Sequence, residues 1–379
     1  MLNKLSEVYS NPGIHFTEID GTEVANVVSS IESEVHAIRH SVAISDMSHI
    51  CAIRLSGEHA HVFLNRLAPR NLNIRNNKLF QSLFILDDAW RYADVYVAKE
   101  HDAYLLLVRG LDADYLIDWL KQSLLPDEDV NIHLMNDTHS ILTFNGPFAW
   151  ELLSDLVDPE IISLPYLSFY YPEENQIIIR SGETGEFGYL LIYPHDSAQL
   201  MWRKALDIGS TYDIRQAGID ALDYCALENN FFNVHKEGSI GANPKELQLQ
   251  WRLSYGKHFT HTGALQAMRE EPIKRRMIAI YSETILVEKG LIFCNNDEIG
   301  FIINSAPYLS GEGYIGLAMI QWPYAESGVV NEYQSSAGAI RTVSPPFINN
   351  RSLVINPQIH SYLDLDEIQF LKLDALGDI

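Results

Sequence analysis

Several features that this sequence lacks narrow its class before any motif is considered. The 379-residue chain has 27 Lys and Arg against 50 Asp and Glu, a formal charge of −23. Proteins that bind nucleic acid or anionic lipid need clustered basic side chains, so this balance argues against both partners. The cysteines, Cys51, Cys225 and Cys294, are spaced for neither a disulfide framework nor a zinc site.

Long apolar runs and secretion signals are also missing. No apolar stretch approaches the ~20 residues that span a bilayer. Met1–Leu5 lacks the apolar core of a signal peptide, and the 14 histidines show no ligand spacing such as HExxH. These absences predict a soluble, cytoplasmic protein with no metal, no nucleic-acid partner and no membrane partner. They leave its oligomeric state open.

The residues that are present predict more than one packed domain. Hydrophobic residues make up 47% of a chain too long for one ordinary core, so about two or three domains are expected. Residues 79–108 read as strands with turns at Asp87–Asp88 and 99–102, followed by a helix at 112–120 and a strand at 130–134. From Arg275 onward, short β runs separated by glycines predict a small barrel or jelly roll.

A glycine-rich segment, Arg180–Tyr189, lies between the apolar runs Ile177–Ile179 and Leu190–Tyr193. The pattern predicts the turn of a β-hairpin, in which glycine permits a close approach to a ligand. Glu186 could accept paired hydrogen bonds from a planar N–H edge such as that of a pterin. The alternative is a solvated turn whose glutamates face water.

An acid interrupts the predicted strand Tyr92–Val97. By alternation, Asp94 lies on the same face as Tyr92 and Tyr96. It is either a solvated residue facing the sheet edge or a carboxylate facing a cleft. Asp46–His49 leaves a similar choice between turn chemistry and a site.

Taken in order, these segments resemble the T-protein (aminomethyltransferase) of the glycine cleavage system and its folate-dependent relatives. Those relatives include the dimethylsulfoniopropionate demethylase and the folate domains of dimethylglycine- and sarcosine-oxidising enzymes. The resemblance runs from end to end and depends on the order of many short matches. They are Glu34, Arg39 and Asp46–His49; Leu55–Ala60 with Phe63–Leu64; Tyr92–Val97; Asn145–Pro147; Thr184–Tyr189; Gly218 to Glu228; Asn243–Pro244 with Trp251; Phe259 with Gly263–Leu265; Ile299–Gly300; Ser305; Ile315–Ala318; and Pro346–Phe347.

The resemblance implies an α+β fold in a three-domain cloverleaf around a central folate cleft. The first domain would be discontinuous, 1–54 plus 138–275, with 55–137 inserted and a C-terminal β-barrel or jelly roll from 276 to 379. The implied cofactor is tetrahydrofolate. The resemblance gives Asp94 the role of catalytic carboxylate and matches five positions to cofactor binding: Gly185, Glu186, Tyr189, Glu228 and Trp251.

The chain also departs from the family pattern at positions expected to contact folate. Gln81 and Glu183 stand where tyrosines are usual, Leu190 where a glutamate often stands, and Leu222 and Ala226 where arginines are common. These changes put glycine cleavage itself in doubt. The sequence therefore predicts a one-carbon transferase, moving a methyl or aminomethyl-type group from a small amine or a methylated sulfur or oxygen donor to tetrahydrofolate. The alternative is a non-catalytic folate-binding protein of the same fold.

Overall fold

The structure, a computed structural model, describes residues 3–9, 13–86, 90–330 and 332–376. The predicted turn at Asp87–Asp88 lies outside these residues. In chain order the strands and α-helices are β1 His15–Ile19, β2 Thr22–Val27, α1 Ile31–His40, β3 Ala43–Asp46, β4 Cys51–Ser56, α2 Ala60–Leu67, β5 Lys78–Ile85, β6 Tyr92–Lys99, β7 Ala103–Arg109, α3 Ala113–Gln122, β8 Asn131–Leu134, β9 His139–Asn145, α4 Ala149–Leu156, β10 Ser168–Tyr170, β11 Ile177–Arg180, β12 Gly188–Pro194, α5 His195–Ile208, β13 Arg215–Gln216, α6 Ile219–Glu228, α7 Thr262–Glu270, β14 Arg275–Ser282, β15 Leu291–Cys294, β16 Asp297–Pro307, β17 Tyr314–Gln321, β18 Tyr333–Gln334 and β19 Ala339–Val343.

Local sequence explains where several helices begin. Helix α1 starts after Ser30, whose side chain accepts a hydrogen bond from the Ser33 amide, and α3 starts after Asp112, which caps the Tyr115 amide. Helix α1 also carries acids in its first turn and Arg39 in its last, as the helix dipole favours. The helix predicted at 112–120 is confirmed.

The large sheet gathers the first and inserted segments into one surface. Its order is β13-β3-β9-β12-β11-β10-β5-β6-β7-β4-β8. The two halves meet where β10 pairs with β5 at Ser168 and Lys78. The predicted domain boundary at 54/55 falls inside β4, which pairs with β7 and β8 of the inserted segment. Backbone pairing therefore continues across that boundary.

The predicted glycine-rich hairpin is confirmed. Strands β11 and β12 pair antiparallel, with Arg180 opposite Tyr189, so 181–187 form the connecting loop. Within it Gly185 has φ +82°. A Cβ added there would lie 2.5 Å from side-chain oxygens of Asn229 and Asn350, so only glycine fits.

The C-terminal segment closes into the barrel β14-β17-β16-β15-β18-β19, which decides between the predicted barrel and jelly roll. Ile278, Ile280 and Ile320 fill its interior. Met277, Leu317 and Met319 face the other way and join the core around α6. Strand β18 is too short for a periodic signal, and the sequence did not predict it. Among the described residues no helix is long and apolar enough to cross a membrane.

Candidate active site

Asp94 lies in the middle of the large sheet. Strand β6 pairs with β5 on one side and β7 on the other, and Asp94 is 1% exposed. The interpretation of Asp94 as a solvated edge residue is therefore wrong. Burying a carboxylate costs free energy unless charged or hydrogen-bonding partners compensate, so its partners matter.

Two arginines neutralise this carboxylate. Arg109, opposite Asp94 in the β6–β7 ladder, donates from Nη2 to Asp94 Oδ2 at 2.6 Å. Arg252 donates from Nη1 to Asp94 Oδ1. Arg109 also donates to both oxygens of Glu183, each at 2.6 Å. These carboxylates hold the pKa of Arg109 well above its usual range, although burial opposes the charge.

Two residues that depart from the family pattern contact each other in this cluster. Gln81 donates from Nε2 to the Tyr96 hydroxyl at 2.6 Å and to Glu183 Oε1 at 3.2 Å. Burial and the neighbouring Glu183 raise the pKa of Tyr96 well above its usual range, so Tyr96 stays neutral. Gln81 and Glu183 thus form one hydrogen-bonded unit, and the interpretation of Glu183 as a water-facing turn residue is wrong.

A cleft opens beside this unit, with about 930 Å³ of empty space, part of it open to solvent. Tyr96, Arg109 and Glu183 form part of its wall, and Leu222 and Ala226 another part. Asp94 does not line the cleft; it lies behind Arg109 and Glu183. Four of the five departures from the family pattern, Glu183, Leu190, Leu222 and Ala226, therefore face the same space. The fifth, Gln81, bonds Tyr96 and Glu183 of its wall.

Glu186 lies elsewhere, although it is only three residues from Glu183. Its Oε2 accepts hydrogen bonds from the amide and hydroxyl of Ser352 at 2.8 and 2.6 Å. Its Oε1 accepts from the Arg351 amide at 3.1 Å and from Arg39 at 3.3 Å. These four donors occupy the acceptor sites of both carboxylate oxygens of Glu186. This placement differs from the expectation that Glu186 accepts hydrogen bonds from a pterin.

Glu186 belongs to a second cluster, centred on Arg39. Arg39 donates to Glu228 Oε2 at 2.7 and 3.1 Å, to the Thr184 carbonyl at 2.5 Å and to Asn350 at 3.1 Å. Arg39, Glu186 and Glu228 have side chains at most 1% exposed. Three of the cofactor-binding positions expected from the sequence, Gly185, Glu186 and Glu228, therefore hold the hairpin loop to α1, α6 and the C-terminal segment.

The last two expected positions lie outside the cleft wall. Tyr189 is 1% exposed in the core beneath α4 and α5. Trp251 is half exposed, and its ring stacks on the guanidinium of Arg252, which in turn contacts Asp94. The structure brings Trp251 near the Asp94 cluster and keeps Tyr189 away from it.

Sequence reasoning missed three residues at the cleft or behind it. Arg109 had a local signal, because a turn at 99–102 places it opposite Asp94. Arg252 and Asp223 had none. His49, for which the sequence left turn chemistry and a site open, lines the cleft. It is 4% exposed, and no described residue bonds its Nδ1. Burial lowers the pKa of His49 to about 3, so the ring is neutral.

The polar atoms of the cleft wall bear on which cofactor it could hold. Among the described residues no group of three or more His, Cys, Asp or Glu could hold a metal ion. Two buried polar atoms on its wall, His49 Nδ1 and Ser181 Oγ, have no hydrogen-bond partner among the described residues. The residues present therefore fit the heteroatom-rich ring of a pterin.

Comparison with known proteins identifies a family model and aminomethyltransferases similar to this chain. The sequence model of the GCVT N-terminal domain family matches residues 5–257. An aminomethyltransferase of Bacillus pumilus is 25% identical over 359 residues, covering 90% of this chain and 97% of its own length. One from Thermotoga neapolitana is 27% identical over 301 residues, covering 77% and 82%.

A solved structure shows the same fold. The glycine cleavage system aminomethyltransferase T of Bartonella henselae superposes with a TM-score of 0.80. It covers 92% of this chain and 98% of its own, at 19% identity. The α+β fold expected from the sequence is therefore confirmed.

Proposed function

Because the chain belongs to the GCVT N-terminal domain family, we propose that it is a tetrahydrofolate-dependent one-carbon transferase, acting on a small amine or a methylated sulfur or oxygen donor. We further propose that its reaction is not glycine cleavage. The observation that carries the proposal is the cleft itself, in which Arg109 and Glu183 form part of the wall and the buried Asp94 lies behind them.

In this proposal the wall residues hold the cofactor and the buried charges act on the reaction. His49 Nδ1 and Ser181 Oγ are the groups available to bond a pterin. Tetrahydrofolate supplies a nucleophilic nitrogen, N5, that accepts the carbon. Transfer is mainly a positioning problem, aided by a carboxylate that stabilises developing positive charge or takes a proton. Glu183 is the carboxylate of the Arg109 cluster that faces the cleft, and Asp94 fixes Arg109, which fixes Glu183.

The proposal excludes glycine cleavage because of where the departures lie. Glu183, Leu222 and Ala226 all line the cleft. Together they replace groups the family pattern has as aromatic or cationic with one carboxylate and two apolar side chains. A changed wall of this kind favours a different donor.

A folate-binding protein without turnover remains the second candidate. It is favoured by one observation, the complete pairing of Asp94 with Arg109 and Arg252, which leaves that carboxylate with no free face on the cleft. A transferase needs a carboxylate that responds to the substrate; a binding protein does not.

Calorimetry with tetrahydrofolate, followed by a screen of methylated amine, sulfonium and ether donors, tests the proposal. We expect saturable binding of one tetrahydrofolate per chain, and formation of 5-methyl- or 5,10-methylenetetrahydrofolate with one donor class. Binding without turnover of any donor would favour the second candidate. Absence of folate binding by the folded protein would overturn both.

A further inference from the structure

Residues 233–241, the cleft loop, form part of the cleft wall after α6. Asn233 and Val234 line the cleft. Lys236 lines a second space of about 720 Å³, part of it open to solvent, between α6 and the barrel strand β16. The cleft loop therefore stands between two empty spaces. A loop in this position loses few contacts when it moves, which lowers the cost of local opening.

The two ends of the cleft loop are fixed, and its last residue is suited to a hinge. Phe232, just before the loop, is 4% exposed and belongs to the core around α6. Ala242, just after it, accepts a hydrogen bond at its carbonyl from the Tyr92 hydroxyl at 2.7 Å. Gly241 has φ +64°, and a Cβ there would meet nothing within 4 Å. Glycine at a loop end absorbs a backbone rotation at little cost.

Glu237 holds the middle of the cleft loop against the barrel. Its Oε1 accepts a hydrogen bond from Asn304 Nδ2 of β16 at 3.2 Å, and its Oε2 accepts one from the Asn233 amide at 2.6 Å. Glu237 is 0% exposed, and it forms no ion pair with any described residue. An ionised carboxylate buried without a cation is costly, whereas a protonated one is not.

The charged side chains near Glu237 do not neutralise it. On the elements beside the cleft loop they are Asp20 before β2, Glu32 of α1, Asp220 and Asp223 of α6, and Glu288 before β15. The basic side chains of the loop itself contact other acids, Lys236 with Glu288 at 3.0 Å and His235 with Asp20 at 3.4 Å. Both contacts are exposed, and such pairs contribute little to stability.

Protonation of Glu237 therefore favours the closed position of the loop. Burial raises the pKa of Glu237 from 4.5 to about 7, and Asp223 adds to the shift while the bonds from Asn233 and Asn304 oppose it. A carboxyl group whose pKa is raised in the closed position stabilises that position fully below 4.5. The stabilisation is lost as pH rises through about 7.

We propose that the cleft loop is a lid and that ionisation of Glu237 releases it from β16, which opens the cleft. Closing returns one proton to Glu237 and restores its hydrogen bond with Asn304. This inference goes beyond the proposed function and does not depend on it, because it concerns the chain without any ligand. Loops that open and close in this way control entry to a site and exclude water from it.

Hydrogen exchange of the unliganded protein tests the lid. The measurement follows peptides covering 233–241 by mass spectrometry from pH 5 to pH 8, corrected for the intrinsic pH dependence of amide exchange. In wild-type protein we expect protection of the cleft loop to fall about thirtyfold to a hundredfold over this range. Peptides from β14 and β17 are the internal reference and should not change. Corrected exchange of the cleft loop that is independent of pH would overturn the inference.

Glu237→Gln keeps the shape of the side chain and removes the titration. Its amide can accept from the Asn233 amide and donate to Asn304 once the Asn304 side chain turns over. Protection of the cleft loop should then vary less than about threefold between pH 5 and pH 8. The same pH dependence in this variant as in wild-type protein would assign the opening to another group and end the proposal.

Glu246→Gln is the matched control. Glu246 lies just beyond the cleft loop and accepts a hydrogen bond from Arg275 at 2.9 Å, so it already has a cation. This variant should keep the wild-type pH dependence of exchange at 233–241. Loss of that dependence in Glu246→Gln as well as in Glu237→Gln would show that the effect is not specific to Glu237.

Asn304→Lys keeps the test decisive if Glu237→Gln does not fold. Asn304 lines the second space, which leaves room for a longer side chain. An ammonium beside Glu237 Oε1 would pair with the ionised carboxylate and hold the loop closed. Protection of the cleft loop should therefore persist at pH 8. A fall as large as that in wild-type protein would contradict the role given to Glu237.

Discussion

Two buried arginines organise this protein in different ways. Arg39 and Arg109 each hold a pair of carboxylates, Glu186 with Glu228 and Asp94 with Glu183. The side chain of Arg39 is 1% exposed, whereas that of Arg109 is 18% exposed and lines the cleft. The Arg39 cluster also bonds backbone groups of the hairpin loop and the C-terminal segment. The same set of residue types thus serves as a structural lock in one place and as the wall of a site in the other.

The largest effect is expected when a negative charge is removed from the cluster of Asp94, Arg109 and Glu183 beside the cleft. Asp94→Asn keeps the shape of the side chain but leaves Arg109 and Arg252 with one carboxylate fewer. We expect turnover to fall about 10²–10⁴-fold on an identified donor, because Arg109 and Glu183 lose their fixed positions. Folate affinity should change little, since that charge acts in the transition state.

Steady-state kinetics with tetrahydrofolate titrations measure both effects. Glu228→Gln, in the Arg39 cluster, is the matched control and should retain turnover. Wild-type turnover in a folded Asp94→Asn protein would remove Asp94 from the mechanism.

Arg39→Met should have the opposite effect, a loss of stability without a loss of turnover per folded molecule. It leaves Glu186 and Glu228 buried without their cation, which typically costs about 3–5 kcal/mol of unfolding free energy. Urea or thermal unfolding measures the loss, and turnover per folded molecule should be retained. Arg109→Met should instead lose turnover with a smaller loss of stability, because Glu183 is partly solvated. If both variants lost stability and turnover equally, the distinction between the clusters would fail.

The sequence predicted the local parts of these clusters but not their connections. Period-two alternation placed Asp94 inside a strand, and glycines with flanking apolar runs predicted the hairpin that carries both Glu183 and Glu186. Which of the two faces the cleft depends on Ser352, 166 residues from Glu186. Arg252 reaches Asp94 across 158 residues. No local pattern encodes such contacts, so the sequence could not show that Glu183, and not Glu186, faces the cleft.

Because Glu186 bonds other residues of the chain, Glu186→Gln should not weaken folate binding as the loss of a pterin contact would. The amide can still accept at one atom but presents hydrogens to the Ser352 amide or the Arg39 guanidinium. We expect a loss of about 1–3 kcal/mol in unfolding free energy with tetrahydrofolate affinity unchanged. Equilibrium unfolding and calorimetry on the same preparation give both values. Weaker folate binding at unchanged stability would restore Glu186 as a cofactor contact.

The smallest effect concerns pH and contrasts the cleft with the Arg39 cluster. Asp223 lines the cleft. Burial raises the pKa of Asp223 from 3.8 to about 6, while Arg109, Asn233 and His235 oppose the shift and Asp220 on the same helix adds to it. The carboxyl group of Asp223 should therefore lose its proton between about pH 5 and pH 7.

The free energy of unfolding should fall as this carboxyl group loses its proton. A carboxyl group whose pKa is raised by folding contributes stability that is fully present below 3.8 and is lost as pH rises through about 6. Ionisation of Asp223 thus weakens the fold between about pH 5 and pH 7, and urea unfolding across that interval measures the loss. Asp223→Asn should reduce this pH dependence, whereas His235→Gln, at a neighbouring residue, should preserve its sign. A pH dependence of the free energy of unfolding that is the same in Asp223→Asn as in the wild-type protein would show that Asp223 does not titrate in this interval.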